Sequence, residues 1–100
     1  MKIRIQSNTV RVRLNEREVS ELQQGQSIVS QTWFPTGKLI ISLHPDQENH
    51  ADLQENQINI TVSTAKVNHW ASSDEVSIGM EFDTPDEEKL SILVEKDMKV

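Results

Sequence analysis

Apolar and polar residues alternate along most of this chain, and short helical patterns interrupt the alternation twice. In the segments Lys2–Gln6 and Thr9–Leu14, aliphatic residues occupy every second position, which is the period of a strand with one buried face. The polar pair Ser7-Asn8 lies between them and predicts a tight hairpin. Asn8 tolerates the left-handed backbone conformation that such loops require.

A short helix is predicted to follow this hairpin. Asn15 can cap the helix, and Glu18 three residues later completes a capping-box pattern. Val19 and Leu22 lie three apart and share one face. Gly25 is placed where a left-handed residue would end the helix. The helix is too short to be stable without packing against other elements.

Two further strands complete the first half of the chain. Residues 27–34 are rich in β-formers, residues 35–38 form a turn, and residues 39–44 are nearly continuous in apolar side chains. Such a continuous run is typical of a strand that is buried on both faces. Residues 45–50 are polar and without periodicity, so we interpret them as a connector.

The second half of the chain repeats the first with an offset of 48 residues. This offset superimposes the following pairs: Asn8 on Asn56, Val10 on Ile58, Val12 on Ile60, Leu14 on Val62, Val19 on Val67, Leu22 on Trp70, Ile28 on Val76 and Phe34 on Phe82. The acidic turn before the last strand is three residues longer than its counterpart, and Ile92 then matches Ile41. A repeat of this size indicates a supersecondary unit that buries its apolar face against a second copy.

These patterns predict one domain over residues 1–100, with a first repeat at 1–44, a connector at 45–50 and a second repeat at 51–97. The predicted fold class is α+β and rich in strands. We expect the duplicated ββαββ unit to form a small barrel or interlocked sheets around a pseudo-twofold axis.

Composition restricts the classes of function. Cys is absent, so the chain has neither disulfides nor thiolate metal sites. The N-terminus lacks the apolar region of a signal peptide, and no apolar run is long enough to cross a bilayer. We therefore expect a cytoplasmic protein that does not enter membranes and that needs no cofactor.

The charges are distributed unevenly. Residues 1–38 hold six Lys/Arg against three acids, a net charge of +3, whereas residues 39–100 hold four Lys against thirteen acids, a net charge of −9. Strand alternation places four cations on one face of the first hairpin, and these are the candidate nucleic-acid or anion ligands: Lys2, Arg4, Arg11 and Arg13. The alternative is neutralisation by acids of the second half, with four candidates: Glu81, Asp83, Glu95 and Asp97. The overall charge of −6 favours this alternative over nucleic-acid binding.

Other candidate residues give weaker signals. Trp33 lies in the opposite phase to Ile28 and is a candidate interface residue, whereas Trp70 shares the helical phase of Val67 and is expected in the core. A loop carries five potential metal ligands, but their spacing matches no recognised site, so no metal is predicted: His44, Asp46, Glu48, His50 and Asp52. No nucleophile motif or phosphate loop is present, so no catalytic residue is assigned.

Two resemblances add to this interpretation. The segment from Asn56 through Ser63 to Val94, with its turn Ser72-Ser73-Asp74, resembles the AbrB-type swapped-hairpin unit. Such units intertwine in pairs, and MraZ-like proteins carry two in one chain. In AbrB-like proteins the corresponding surface contributes arginines to DNA phosphate, whereas the second copy here has Asn59 and Thr61 in place of Arg11 and Arg13.

The whole chain also resembles a bacterial family of small proteins of unknown function. The likeness is carried by the opening Met1-Lys2-Ile3-Arg4-Ile5, the Trp-containing helix before an acidic turn, and the final strand around Leu93-Val94-Glu95. This resemblance implies no activity, and members tend to continue with a further tail.

The sequence favours a non-enzymatic protein-interaction module with an unidentified protein partner, and a homodimer is one form this could take. The first alternative is a nucleic-acid binder that uses the basic hairpin. A small enzyme or ligand carrier is the third hypothesis, and it would require a deep pocket with a buried His or acid.

Overall fold

The computed structural model describes residues 1–97 and contains the element order ββαββ twice. The elements of the first half are β1 Lys2–Gln6, β2 Thr9–Leu14, α1 Glu16–Gln23, β3 Ile28–Phe34 and β4 Gly37–Asp46. Those of the second half are β5 His50–Gln54, β6 Gln57–Ser63, α2 Thr64–Ala71, β7 Ser77–Phe82 and β8 Leu90–Lys96. The fold is therefore small, α+β and rich in strands, as the sequence predicts.

The strands form two four-stranded sheets, and each sheet takes a hairpin from each half of the chain. The first, sheet A, has the order β1-β2-β8-β7, and the second, sheet B, has the order β3-β4-β6-β5. The hairpins are antiparallel, and they join through parallel pairs, β2 with β8 and β4 with β6. Neither half can complete a sheet without the other.

The strand register confirms most of the predicted repeat and corrects one part. Ile58 pairs with Ile41 in sheet B, and Val10 pairs with Ile92 at the equivalent place in sheet A. Both the 48-residue offset and the three-residue insertion are therefore present. The offset changes to 50 in β3 and β7, since Ile28 pairs with Leu43 and Ile78 pairs with Val94.

The predicted matches of Ile28 with Val76 and of Phe34 with Phe82 are consequently wrong by two residues. Val76 precedes β7 and is exposed, whereas Ile78 is buried in the place that corresponds to Ile28. A shift by two preserves the facing of every side chain in a strand. The hydrophobic pattern alone therefore could not separate the two alignments.

The core lies between the inner faces of the sheets and the two helices. Its largest fully buried side chain is Trp70 of α2, whose indole Nε1 donates to the Val76 carbonyl at 2.9 Å. The prediction that Trp70 is a core residue is confirmed, and its counterpart Leu22 of α1 is equally buried. Satisfying the indole N–H removes the main cost of burying Trp.

Two boundaries differ from the sequence interpretation. β4 continues to Asp46 and β5 begins at His50, so the connector is shorter than 45–50. β4 is also buried on one face only, since Ile41 and Leu43 are buried while Ser42 between them is half-exposed. Both faces of β4 carry aliphatic residues, but the core covers only one face of sheet B.

The residues predicted to begin and end the first helix, α1, have the predicted conformations and contacts. The Asn15 side chain accepts from the Glu18 backbone N–H at 2.8 Å, and the Glu18 carboxylate accepts from the Asn15 backbone N–H at 3.0 Å. Gly25 adopts a φ of 90° after α1. The capping box and the left-handed glycine therefore set both ends of α1.

The two hairpin turns require a correction. The left-handed residues are Ser7 and Glu55, with φ of 50° and 49°, and neither Asn8 nor Asn56 has a positive φ. The recurrence of Asn is explained instead by its side chain.

Each of these asparagines fastens its hairpin to the neighbouring central strand. Asn8 Nδ2 donates to the Lys89 carbonyl at 3.1 Å, and its own carbonyl accepts from the Ser91 N–H at 3.0 Å. Asn56 Nδ2 donates to the Lys38 carbonyl at 2.8 Å at the equivalent place in sheet B. We refer to these contacts as the asparagine clasps.

Candidate functional site

The basic residues predicted to share a surface do so on the outer face of sheet A. Within the β1–β2 hairpin, Lys2 lies opposite Arg13 and Arg4 lies opposite Arg11. All four side chains belong to exposed residues. The predicted strand phase is therefore confirmed, and the four cations are cross-strand neighbours.

Two acidic residues at the end of β8, Glu95 and Asp97, form ion pairs with two of these four cations. Lys2 Nζ lies 3.3 Å from a carboxylate oxygen of Asp97, and Arg11 Nε lies 3.6 Å from Glu95 Oε1. Two of the four predicted acids therefore meet the basic face. Among residues 1–97, Arg4 and Arg13 form no ion pair.

The Glu95 carboxylate has an unusual environment for a surface acid. Its Oε1 is buried and has no hydrogen bond, although the Arg11 guanidinium is close. Its register partner in β2 is Arg13. Glu95 therefore depends on charge attraction from β2 more than on directed hydrogen bonds.

Two of the depressions on the described surface are lined by charged residues. One of about 360 Å³ lies over the basic hairpin and is lined by Arg4, Gln6, Ser7, Thr9 and Arg11. A wider groove of about 830 Å³ runs beside α1 to the end of β8, with Val19, Ala71 and Lys96 among its lining residues. The wider groove also contains Ser20, whose hydroxyl accepts a hydrogen bond from the Gln24 side chain at 3.4 Å.

Trp33 lies on the outer face of sheet B and is 72% exposed. The sequence prediction that it faces outward is confirmed. The ammonium group of Lys38, its cross-strand neighbour, lies 5.2 Å from the centroid of the indole ring. Val29 and Phe34 on the same strand are also more than half exposed.

This concentration of apolar side chains distinguishes β3 from the three other edge strands. β1 carries Lys2 and Arg4, β5 carries Asp52, and β7 carries Glu81. β3 spans seven residues without a charge, a proline or a glycine. Proteins normally protect edge strands with charges, prolines or bulges, because free backbone groups recruit other strands. β3 has none of these protections.

The polar residues around the β4–β5 connection do not assemble into a metal site. Among residues 1–97, no three His, Asp or Glu side chains are grouped so that they could hold an ion. His44 Nδ1 instead shares a hydrogen bond of 2.6 Å with Ser27 Oγ on the outer face of sheet B.

A family model described as a family of unknown function (DUF7009) matches residues 1–100. The chain belongs to this family. No curated protein and no solved structure matches it. Membership agrees with the predicted resemblance to a family of unknown function, and it assigns no activity to any residue. The relation to AbrB-type units stays a prediction.

The sequence pattern indicates Trp33 as a candidate interface residue, but it does not indicate the other exposed residues of β3. The signal was present as an uncharged run with apolar residues at both ends, Ile28-Val29 and Trp33-Phe34. The sequence does not show that β3 lies at a sheet edge, because that depends on the exchange of hairpins between the two halves. In the described part of the chain, neither helix is long and apolar enough to span a membrane.

Proposed function

We propose that this chain is a non-enzymatic protein-interaction module and that β3 is its docking edge. One observation carries the proposal: β3 is a seven-residue edge strand without charge and with three exposed large apolar residues. An extended segment of another protein chain would add to sheet B as a further strand. Main-chain hydrogen bonds would supply affinity and the side chains specificity.

The backbone of β3 presents regularly spaced groups for this pairing. A two-residue turn, Pro35-Thr36, closes the β3–β4 hairpin, and Phe34 lies opposite Gly37. In such a hairpin the closing residues form a hydrogen-bonded pair, and the pairs then alternate. The N–H and C=O groups of Val29, Gln31 and Trp33 therefore point away from β4, toward the free side.

The side chains next to these groups suit a protein partner. Trp33 and Val29 project from the outer face, and Phe34 projects from the inner face at the far end of β3. Large aromatic side chains dominate the binding energy of many interfaces. The cation–π contact of Lys38 with Trp33 limits the ring's motion and so reduces the entropy lost on binding.

Site-specific photo-cross-linking in the native cells tests this proposal. A photoreactive amino acid replaces Gln31, and the matched control replaces Glu81, which occupies the equivalent place in β7. We expect a protein adduct at position 31 and none at position 81. The adduct should disappear when Val29→Glu and Trp33→Glu are introduced together. Equal labelling at both positions, or no adduct at position 31, would contradict the proposal.

A second function, binding of nucleic-acid phosphate, is supported by a different observation. Arg4 and Arg13 lie on the exposed face of the first hairpin without an ion-pair partner among residues 1–97. Neutralisation of Lys2 and Arg11 and the net charge of −6 oppose this function.

Fluorescence anisotropy with random-sequence DNA and RNA tests the second function. Binding should weaken steeply with salt and be lost in Arg4→Glu/Arg13→Glu, while Arg17→Glu on α1 should have a much smaller effect. Arg17 is a suitable control because it is exposed and lies outside the basic face. If no binding occurs at low salt with both variants folded, this function is excluded.

A further inference from the structure

We infer that the strand that pairs with β3 is β3 of a second copy of this chain. The inference rests on the proposed function, since it names the partner of the same edge. It follows from the order of side chains along β3: two apolar residues, three polar residues and two apolar residues, in the sequence Ile28-Val29-Ser30-Gln31-Thr32-Trp33-Phe34. This order is the same in both directions.

Antiparallel pairing about Gln31 therefore matches every residue with one of its own kind. Gln31 would lie opposite the partner's Gln31, and Val29 opposite the partner's Trp33. On the other face, Ile28 would lie opposite the partner's Phe34, and Ser30 opposite the partner's Thr32. Aromatic and β-branched residues are favourable cross-strand neighbours. All seven residues pair in this register, whereas a shift leaves apolar residues at the ends without a partner.

The backbone hydrogen-bonding groups of β3 are also compatible with a twofold axis at Gln31. Gln31 presents its N–H and C=O toward the free side, so two copies can exchange both hydrogen bonds at the centre of the ladder. Val29 and the partner's Trp33 then form the next hydrogen-bonded pair on each side, which gives about six new interstrand bonds. The two four-stranded copies of sheet B would become one continuous sheet.

The other edges are less suited to self-pairing. The central residue of β1 is Arg4 and that of β5 is Asp52, so a twofold antiparallel pair of either strand would place like charges opposite each other. β7 contains Gly79 and Glu81, which weaken a strand and protect its edge. β3 therefore offers the edge that is compatible with a second copy.

Thiol cross-linking of the purified protein tests the register. The chain contains no Cys, so Gln31→Cys introduces a single thiol, and Glu81→Cys is the matched control on β7. Residues directly opposite in a hydrogen-bonded antiparallel pair have Cα atoms about 5.5 Å apart, which a disulfide can span. Mild oxidation should convert Gln31→Cys to a covalent dimer and leave Glu81→Cys monomeric.

Charged substitutions at positions 29 and 33 test the twofold pairing of the two β3 strands without the use of a thiol. Val29→Glu/Trp33→Glu would place two acids opposite each other on both sides of the axis, whereas Val29→Lys/Trp33→Glu would place opposite charges there. By sedimentation velocity over a concentration series, we expect wild type and the Lys/Glu variant to dimerise. We expect the Glu/Glu variant to dimerise at least about ten-fold more weakly. Circular dichroism should show both variants folded, because positions 29 and 33 are exposed.

Three results would overturn the inference: a wild-type monomer at all concentrations, a dimer that the Glu/Glu variant leaves intact, or equal cross-linking at positions 31 and 81. Failure here is distinguishable from failure of the proposed function. A monomeric protein that still forms a photo-adduct with a different protein at position 31 would retain β3 as a docking edge. A monomer without any adduct would remove both.

Discussion

The two sheets have the same strand arrangement, but their outer faces carry different kinds of side chain. Equivalent rows across the sheets show the contrast. In sheet A one row reads Lys2, Arg13, Glu95, Ser77. In sheet B the equivalent row reads His50, Thr61, His44, and the His44 ring shares a hydrogen bond with Ser27, which precedes β3. The ion pair between Arg11 and Glu95 joins β2 to β8 on the outer face of sheet A, whereas a hydrogen bond between the neutral side chains of Ser42 and Asn59 joins β4 to β6 in sheet B.

This difference teaches which positions the fold constrains. The inner faces of both sheets must be apolar because they share one core. The outer faces carry no such constraint, so the central strands can be joined by an ion pair in one sheet and by neutral hydrogen bonds in the other. The consequence lies at the edges: charges protect β1 and β7 in sheet A, while β3 in sheet B has none.

The largest losses of unfolding free energy should come from substitutions in the core that the two sheets share. Ile92 in sheet A and Ile41 in sheet B are equivalent, buried and on central strands. Replacement of a buried Ile by Ala costs about 2–5 kcal/mol of unfolding free energy. We expect Ile92→Ala near the upper end, because Ile92 belongs to the main core cluster, and Ile41→Ala near the lower end. Urea denaturation measures both.

Both substitutions should also shift one common transition. Each sheet contains strands from both halves, so loss of packing in one sheet removes support from the other. Two resolved transitions, or loss of amide-exchange protection in one sheet alone, would show that the sheets unfold independently and that the interlocked topology does not couple them.

The shared part is also what the sequence predicts best. Strand alternation, the capping box at Asn15 and the glycine at Gly25 are local signals, and each appears in the structure as expected. The helical phase that Trp70 shares with Val67 is also local, and both residues are buried as it predicts. These features depend on neighbours within a few residues, which a single sequence contains.

The features that distinguish the sheets depend on contacts between distant segments. β3 lies at an edge because the β3–β4 hairpin joins the hairpin of the other half through β4, which pairs with β6 and leaves the second side of β3 without a strand. The asparagine clasp at Asn8 depends on Lys89, 81 residues later. The candidate site is therefore predictable at Trp33, through strand phase, and at the basic hairpin, but not as a continuous edge.

The asparagine clasps should give an intermediate effect that is similar in both sheets. Asn8→Ala and Asn56→Ala each remove a side-chain hydrogen bond to a backbone carbonyl, which contributes about 0.5–1.5 kcal/mol. We expect each variant to lose about 1 kcal/mol of unfolding free energy, measured by urea denaturation.

The matched controls for the clasps are Asn8→Asp and Asn56→Asp, which keep the size of the side chain but remove its N–H donors. They should lose at least as much stability as the alanine variants, because a carboxylate would face a carbonyl oxygen. If alanine at either position had no effect, the recurrence of Asn would need an explanation other than the clasp.

The smallest expected effect is the coupling energy of one ion pair, and it compares the outer faces of the two sheets directly. A double-mutant cycle of Arg11→Ala and Glu95→Ala measures the coupling of these two side chains in sheet A. We expect a coupling of about 0.2–1 kcal/mol, because the Arg11 side chain is 44% exposed to solvent. The coupling should decrease with added salt, since screening weakens charge attraction near the surface. The equivalent pair in sheet B, Asn59 and His44, contains no pair of opposite charges, so its coupling should not depend on salt. A coupling in sheet A that salt leaves unchanged would indicate packing between the two side chains, and the contrast between the ion pair of sheet A and the neutral pair of sheet B would then lose its electrostatic basis.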